Sequence, residues 1–359
     1  MRRQESSENE PSSSIVHREE ANLIVIDGRN AIYSVAVLPD GKHFMSGDAE
    51  GMIQRWRMED GKEVGTPMSA GSPTLNIAVP RDGKWIVSGT AIGLAVMVWN
   101  AESHSKVTEF KLAHRDYVRV VDVSPDTTKI ATGSDDKTAC VWSLSTGERL
   151  LGPLEHDDYV LATKFSPDGR LIATATHERD SVRVYDSRNG RLFVDFPVRV
   201  SSFFNAVNRN QSLAWASDSK QLFAISIHGN IHCVDVPTGT TLLKWHIHSG
   251  DSPTCIALAS NGTFIAASAR SSVSFWDTTS QEQIGTVIKY THEVESMTMS
   301  SNYDLVTSGD KRITLRALCG TLPSRYLDNV SVLAQKSLQS QTALFAVADP
   351  PHAGNPACS

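Results

Sequence analysis

The chain has 359 residues, 40% of them hydrophobic and 21% charged, with a formal net charge of −6. That charge gives no bulk electrostatic reason to expect a nucleic acid or an anionic membrane as a partner, and neither is predicted. Five cysteines, an odd number, argue against a disulfide framework. The sequence contains neither a signal peptide nor an apolar run long enough to span a bilayer. We therefore expect a soluble intracellular protein, cytoplasmic or nuclear.

The N-terminal segment divides into a polar part and an apolar part. Residues 1–20 are rich in Ser and Glu and are predicted to form a disordered tail, because they offer too little apolar surface to offset the entropy of ordering. The run LIVI, Leu23–Ile26, then begins the folded region and stands before the first complete unit of a repeat.

Seven units of one design fill residues 21–318, and repeats of this length indicate a repeat architecture. In each unit a strand-like run enters a polar turn whose Asp or Asn recurs at intervals of 41 to 50 residues, at Asp40, Asp82, Asp126, Asp168, Asp218, Asn261 and Asn302. A second and a third apolar run follow, and the third ends at Trp56, Trp99, Trp142, Tyr185, Val234, Trp276 and Arg316. The alternation of apolar and polar residues within these runs predicts short, half-buried strands.

The third unit, residues 113–150, is the clearest copy of the pattern. Its period, its four short strands and its terminal tryptophan resemble the WD-repeat β-propeller family. The resemblance implies an all-β fold: a seven-bladed β-propeller of four-stranded antiparallel blades. We expect Leu23–Ile26 to close the ring as a strand added to the last blade, which removes exposed sheet edges. Residues 319–359 depart from the pattern and are predicted to be a mostly irregular C-terminal tail, with an apolar part at residues 330–348.

In the WD-repeat family a histidine, a Ser or Thr, the turn Asp and the strand-end Trp of one unit form a buried hydrogen-bonded tetrad. The matching residues of the third unit are His114, Ser134, Asp136 and Trp142. The donor and acceptor inventory agrees, since Trp only donates, ionised Asp only accepts, and His and Ser can join the two.

Other units depart from this tetrad. Unit one has Gly28, Asp48, Glu50 and Trp56 at the four positions, so that its histidine is missing. In units five to seven the Asp or the Trp is replaced, and strand alternation alone is expected to hold those sheets together.

Partner contacts in the family often come from residues that flank the start of each first strand and from the residue before the turn Asp of the tetrad. Carried over to this sequence, these positions predict a partner-binding face at Tyr33, Tyr117, Arg119, Asp135, Tyr159, Leu161, Arg209 and Gln211. Our specific hypothesis is that Tyr117, Arg119, Tyr159 and Arg209 form one patch that grips a peptide or a partner loop carrying acidic groups. The alternative is that these side chains only cover neighbouring apolar surface.

The sequence predicts no catalytic residues, cofactor or metal. It lacks the glycine-rich phosphate loops, the nucleophile elbow and the H-E-x-x-H zinc motif. His246 and His248 have the spacing of two ligands on one strand face, but no third ligand is near in sequence.

The expected function is a non-catalytic adaptor that binds a protein or peptide, as a monomer within a larger complex. Two alternatives remain: an enzyme or small-ligand binder that uses the central channel, and a recognition module related to the WD-repeat part of larger signalling proteins.

Overall fold

The computed structural model describes residues 15–20, 23–92, 94–110, 113–177, 182–198, 211–226, 228–247 and 253–327, with backbone alone for 15–20 and 253–254. Within these ranges the chain forms seven antiparallel sheets, six with four strands and one with five. Each sheet is one blade of a propeller. The strands of the six four-stranded sheets follow each other in chain order, and the five-stranded sheet joins two strands from the start of the chain to three from its end. None of the helices in the described part of the chain is long and apolar enough to cross a membrane.

The strands are numbered in chain order. The first two, β1 and β2, belong to the last blade and span Ile15–Glu20 and Leu23–Asp27. Blades one to three contain β3 Ile32–Val37, β4 His43–Asp48, β5 Met52–Arg57, β6 Glu63–Ser69, β7 Thr74–Ala78, β8 Trp85–Thr90, β9 Val96–Asn100, β10 Lys106–Phe110, β11 Val118–Val123, β12 Lys129–Ser134, β13 Thr138–Ser143 and β14 Arg149–Glu155. Blades four to six contain β15 Val160–Phe165, β16 Leu171–Thr176, β17 Val182–Asp186, β18 Leu192–Phe196, β19 Leu213–Trp215, β20 Gln221–Ile225, β21 Asn230–Asp235, β22 Thr240–His246, β23 Pro253–Leu258, β24 Phe264–Ala269, β25 Ser272–Asp277 and β26 Gln283–Lys289. Blade seven contains β27 Ser296–Met299, β28 Asp304–Gly309 and β29 Arg312–Ala317.

The ring is closed by strands from both ends of the propeller, as the sequence predicts. Strand β2 pairs antiparallel with β29, and Ile26 lies opposite Ile313. The structure differs from the sequence prediction in a further strand, β1, which pairs with β2 although its residues fall in the segment expected to be a disordered tail. A low apolar content does not prevent this pairing, because an edge strand is ordered through the backbone ladder that β2 offers.

The polar turns between the first and second strands of each blade explain why Asp recurs there. In blade three Asp126 accepts a hydrogen bond from the Ser124 hydroxyl at 2.6 Å and from the backbone N–H of Thr128 at 3.1 Å. The next residue has a left-handed backbone, at φ 57° for Thr127 and 73° for Gly169 in the equivalent turn of blade four. The side chain of the turn Asp thus fixes the reversal, and Gly is suited to the position that follows it.

Neighbouring blades pack closely because the second strand carries a small residue at one position. A Cβ atom on Gly133 of β12 would lie 2.6 Å from a methyl carbon of Val160, in the first strand of the next blade. The equivalent Gly47 and Gly89 meet Thr74 and Val118 in the same way, at 2.6 and 3.0 Å. The buried clusters therefore lie between consecutive sheets, and each blade is stabilised mainly by its neighbours.

The first strands line the channel and are joined by hydrogen bonds from one blade to the next. Each of four polar side chains accepts a backbone N–H from the next blade: Ser296 from Val35 at 3.1 Å, Ser34 from Ile77 at 3.0 Å, Asn76 from Val121 at 2.9 Å and Asp122 from Phe165 at 2.8 Å. These bonds fix the relative positions of the first strands, and hence of the residues at their ends.

The residues that follow β29 pack onto the propeller. A short 3-10 helix, Ser324–Tyr326, places the Tyr326 hydroxyl 2.8 Å from Asp277 and its ring against Phe264. Leu322 and Leu327 join the same buried cluster. Packing thus continues beyond residue 318, where the sequence pattern ends, because apolar side chains rather than the repeat motif hold this segment. The apolar part predicted at residues 330–348 lies outside the described residues.

Candidate functional site

The buried polar network of blade three joins His114, Asp136, Trp142 and Thr132. The Trp142 indole N–H donates to Thr132 Oγ1 at 2.9 Å, and His114 Nε2 lies 2.6 Å from the same hydroxyl. On its other side His114 Nδ1 lies 2.9 Å from Asp136 Oδ2. The Thr132 hydroxyl can donate either to Nε2 or to the Cys140 carbonyl at 3.4 Å; in the first case Nδ1 carries the hydrogen that is donated to the carboxylate.

The hydroxyl of this network belongs to Thr132, two residues before the predicted Ser134. Both side chains project from the same face of β12, since residues two apart on a strand share a face. Trp142 lies opposite Ile130, so its indole reaches Thr132 diagonally, whereas Ser134 stands at the end of the strand. There Ser134 accepts the Asp136 backbone N–H at 3.0 Å and donates to the Asp116 carbonyl at 3.1 Å.

The electrostatics of the network favour an ionised Asp136. Burial alone raises the pKa of Asp136, but hydrogen bonds from His114, the Arg115 backbone N–H and Thr138 outweigh it and hold that pKa well below its ordinary value of 3.8. In blade four burial lowers the pKa of His156 to about 4, so that this histidine is neutral at pH 7. Both groups are structural, because each is bonded inside its own blade, Asp136 to His114 and His156 to Thr174.

Two tyrosines occupy equivalent positions in adjacent blades. Tyr117 and Tyr159 each follow an Asp and precede the first residue of a first strand, and they are 40% and 38% exposed. In both, the backbone N–H is held by the carboxylate of the preceding Asp at 2.8 Å. Their positions place both side chains at one end of the ring, which we name the first-strand end.

Arg119 and Asp135 form an ion pair within blade three. The Arg119 Nε donates to both carboxylate oxygens of Asp135, at 2.8 and 2.9 Å, and an Arg119 terminal nitrogen contacts Oδ2. The guanidinium carbon lies 5.4 Å from the centre of the Tyr117 ring, a distance typical of a cation–π contact. Arg119 and Asp135, both predicted face residues, thus orient Tyr117, and the Arg119 guanidinium is already bonded to a carboxylate of its own blade.

The other predicted face residues are placed differently. Tyr33 and Leu161 are half-buried in the first strands of blades one and four. Burial, followed by the nearby carboxylates of Glu295 and Asp48, raises the pKa of Tyr33. Gln211 lies in the channel, where its side-chain oxygen accepts the Met297 backbone N–H at 2.7 Å. Arg209 lies outside the described residues.

The sequence reasoning missed Ile92, which is 68% exposed. This residue lies in the long turn of blade two that lacks the Asp, and its neighbour Ala91 is bonded to the carbonyl of Pro73 at the start of β7. It therefore belongs to the same end of the ring as Tyr117. An apolar residue in a turn that normally carries Asp is the signal that could have identified it. We name Ile92, Tyr117, Arg119 and Tyr159 together the tyrosine surface.

The channel contains a cavity of about 170 Å³. It is lined mostly by residues of the first strands, and its polar members are Asn76, Asp122, Lys164, Gln211 and Thr298. The Asp122 carboxylate in this lining is 3.0 Å from Lys164 Nζ and also binds a backbone N–H. Among the described residues no group of three or more His, Cys, Asp and Glu could hold a metal ion. Of the predicted H-x-H pair, His246 is described and His248 is not.

Comparisons with known proteins agree with the repeat pattern. The family model described as "WD domain, G-beta repeat" matches residues 21–57, 105–143, 149–186 and 239–277. Each matched segment begins with the fourth strand of one blade, counted from the channel, and continues through the first three strands of the next. This is the arrangement by which consecutive repeats interlock around a ring.

Three curated relatives match part of the chain. "Small ribosomal subunit protein RACK1y" of Oryza sativa subsp. japonica is 30% identical over 146 residues, which are 41% of this chain and 42% of the relative. "Protein groucho" of Drosophila melanogaster is 28% identical over 34% of this chain and 17% of its own length. "Transducin-like enhancer protein 2" of Mus musculus is 26% identical over 36% and 17%. The match thus spans less than half the length of each relative. The seven blades of the structure and the four matched repeats together show that this chain is a WD40-repeat β-propeller protein.

Proposed function

We propose that this protein is a non-catalytic adaptor that binds a partner protein or peptide at the first-strand end of the ring, through the tyrosine surface. The observation that carries the proposal is the repeated Asp–Tyr–Val sequence of blades three and four, which presents Tyr117 and Tyr159 to solvent at equivalent positions. Aromatic side chains that are exposed on a rigid scaffold are the usual anchors of protein interfaces.

The rigidity of the surroundings supports this role. Asp116 and Asp158 fix the backbone at the two tyrosines, and the pair of Asp135 with Arg119 supports the Tyr117 ring from beside it. A side chain that is already oriented loses little entropy when a partner binds, so more of the contact energy contributes to affinity. We assign Arg119 this positioning role in place of a direct contact with an acidic partner group.

The exposed Ile92 extends the surface toward blade two and adds apolar area at the same end of the ring as the tyrosines. A partner of matching chemistry presents apolar or aromatic side chains with a few polar groups at the rim. We propose no nucleic acid or membrane as the partner and an intracellular location for the complex, in which the protein is a monomeric component. The reduced, buried thiols of Cys140 and Cys233 agree with an intracellular compartment.

The test compares two double variants, each of which truncates two exposed large side chains to alanine. Tyr117→Ala with Tyr159→Ala removes the anchors, and Leu192→Ala with Phe193→Ala removes two exposed side chains, 46% and 54% exposed, from the outer strand of blade four. Both variants are purified with an affinity tag from the native cells, with unchanged melting as the condition for comparison. A stoichiometric partner that copurifies with wild type and the control but not with the tyrosine variant supports the proposal. A partner that all three proteins retain excludes the tyrosine surface.

A further inference from the structure

Blade one contains a pocket at the position that a histidine fills in blade three. When Trp56 is matched to Trp142, both at the end of a third strand, Gly28 falls on His114 at the same sequence spacing. On that spacing Ser46 corresponds to Thr132 and Glu50 to Asp136, the residues that hold the His114 ring. Blade one therefore keeps groups of the kind that bind an imidazole and lacks the imidazole.

The vacant position is an open pocket of about 290 Å³. Its lining includes Gly28, Ser46, Glu50, Gln54, Trp56 and Pro67. This volume lies near the lower end of the range for ligand pockets and suits one small ring with the chain that bears it. Gly28 cannot readily acquire a side chain of its own, because a Cβ atom there would lie 3.0 Å from the Lys311 carbonyl oxygen.

One buried polar atom among the residues that line this pocket lacks a partner within the described chain, whereas Asp48 and Asn30 of the lining bond to each other. Gln54 is only 8% exposed, and its amide nitrogen donates to the Arg55 carbonyl at 2.8 Å, but its Oε1 atom accepts no hydrogen bond there. The Trp56 indole N–H donates to Ser46 Oγ at 2.7 Å. The Ser46 hydroxyl accepts in this bond and can still donate its own hydrogen to a group in the pocket. A buried acceptor without a partner costs on the order of 1–3 kcal/mol, which a bound donor would recover.

Blade two shows that loss of the tetrad does not by itself produce such a site. There Trp99 also donates to a serine hydroxyl, Ser88, at 3.2 Å. The position of Gln54 is taken by Met97, which is buried and offers no oxygen or nitrogen atom in its side chain, and the longer turn is bonded internally between Thr90 and Ala95. The combination of open volume and an unpaired acceptor thus distinguishes blade one.

We propose that the blade-one pocket binds an imidazole group supplied from outside the blade. The imidazole N–H donates to the Glu50 carboxylate or to Gln54 Oε1, and the second ring nitrogen accepts from the Ser46 hydroxyl, as in the His114 network. The group comes either from a histidine side chain of a peptide or from a small imidazole compound. This proposal is independent of the tyrosine surface, since none of its residues lines the pocket.

The test follows the indole N–H signals of the full chain by ¹H–¹⁵N NMR at pH 8 during a titration with imidazole. The Trp56 signal, assigned with Trp56→Phe, is expected to shift saturably, while the Trp142 signal stays in place because His114 fills its site. 1-Methylimidazole, which lacks the N–H donor, is the matched probe and should bind at least about tenfold more weakly, a difference of about 1.4 kcal/mol. N-acetylhistidine amide distinguishes the sources: tighter binding than imidazole assigns a peptide histidine, and weaker binding assigns a small molecule.

Two variants keep the result interpretable. Gln54→Met removes the unpaired acceptor at similar volume, and Glu50→Gln removes an exposed charge that the fold does not need. Each is expected to weaken imidazole binding about tenfold with a melting temperature within a few degrees of wild type. The proposal is wrong if the Trp56 signal does not saturate, if Trp142 shifts equally, or if both variants bind imidazole as wild type does.

Discussion

Replacing Asp136 with alanine tests the network that organises blade three. The Asp136 carboxylate accepts four hydrogen bonds: from His114 and the Arg115 backbone at 2.9 Å, and from the backbone and hydroxyl of Thr138 at 3.0 and 2.7 Å. The variant leaves a buried histidine without its acceptor, and a buried hydrogen bond to a charged group is worth about 1.5–3 kcal/mol. We expect a loss within that range in the free energy of unfolding.

The assay is urea unfolding followed by tryptophan fluorescence, together with hydrogen exchange of residues 114–143, since repeat proteins open locally. The matched control is Asp168→Ala in a solvent-exposed turn. There the carboxylate accepts hydrogen bonds from Ser166 and Arg170, and the loss is expected to be about 1 kcal/mol. Equal effects of the two substitutions, or unchanged exchange in blade three, would show that the Asp136 network does not stabilise the blade.

The same variant has a defined pH dependence. The pKa of Asp136 in the folded protein lies below its ordinary value of 3.8, so its stabilising contribution is complete above that value and is lost as the pH falls toward the folded-state pKa. The stability difference between wild type and Asp136→Ala should therefore be constant from pH 7 to about 5 and narrow below about 4. A difference that is unchanged at pH 3 would refute the reasoning.

Three further substitutions test other parts of the structure. Thr132→Val should cost about 2–4 kcal/mol, since it leaves two buried partners unbonded, and should shift the Trp142 indole N–H signal in NMR spectra. Burial raises the pKa of Glu295 to about 7. The protonated side chain therefore stabilises the fold fully below about pH 4.5, and this contribution is lost as the pH rises through about 7. Glu295→Gln should raise the melting temperature at about pH 8 and leave it unchanged near pH 4.5. Ile26→Ala in the closing strand should cost about 2–5 kcal/mol in urea unfolding, whereas the same change at the exposed Ile92 should cost less than about 0.5.

The propeller fold could be predicted from the sequence because the repeats and the strands are encoded by local sequence patterns. Alternation of apolar residues sets which face of a strand is buried, and the turn Asp fixes each reversal through its own backbone bonds. Blades five to seven form although their tetrads are incomplete, because burial suffices. In blade five Trp245 of the outer strand packs against Phe223 and lies in the cluster of that blade.

The site was only partly predictable, because its details depend on packing across strands and blades. Thr132 and Ser134 are both hydroxyl residues on one strand face, and only the register with Trp142 decides which of them completes the network. Gln211 occupies a position that was predicted to lie on the partner-binding face. Its side chain instead lies in the channel, where it accepts a hydrogen bond from the Met297 backbone N–H of blade seven. Such contacts join residues far apart in the chain and leave no local signal.

The blade-one pocket illustrates the same limit. The sequence indicates that Gly28 replaces a histidine, but it does not indicate whether neighbouring side chains fill the space. In blade two the equivalent position holds the buried apolar side chain of Met97, whereas in blade one Gln54 remains buried with an unpaired oxygen. The difference is one of volume and hydrogen bonding, which only the assembled blades define.

Hydrogen–deuterium exchange of the protein, alone and in the complex isolated with its partner, would locate the binding face directly. We expect the partner to slow exchange at residues 114–119 and 156–161, at the first-strand end beside Tyr117 and Tyr159, and to leave the turns at 124–128 and 166–170 at the other end unchanged. Protection confined to those turns would place the partner on the opposite end of the ring and exclude the tyrosine surface as the interface.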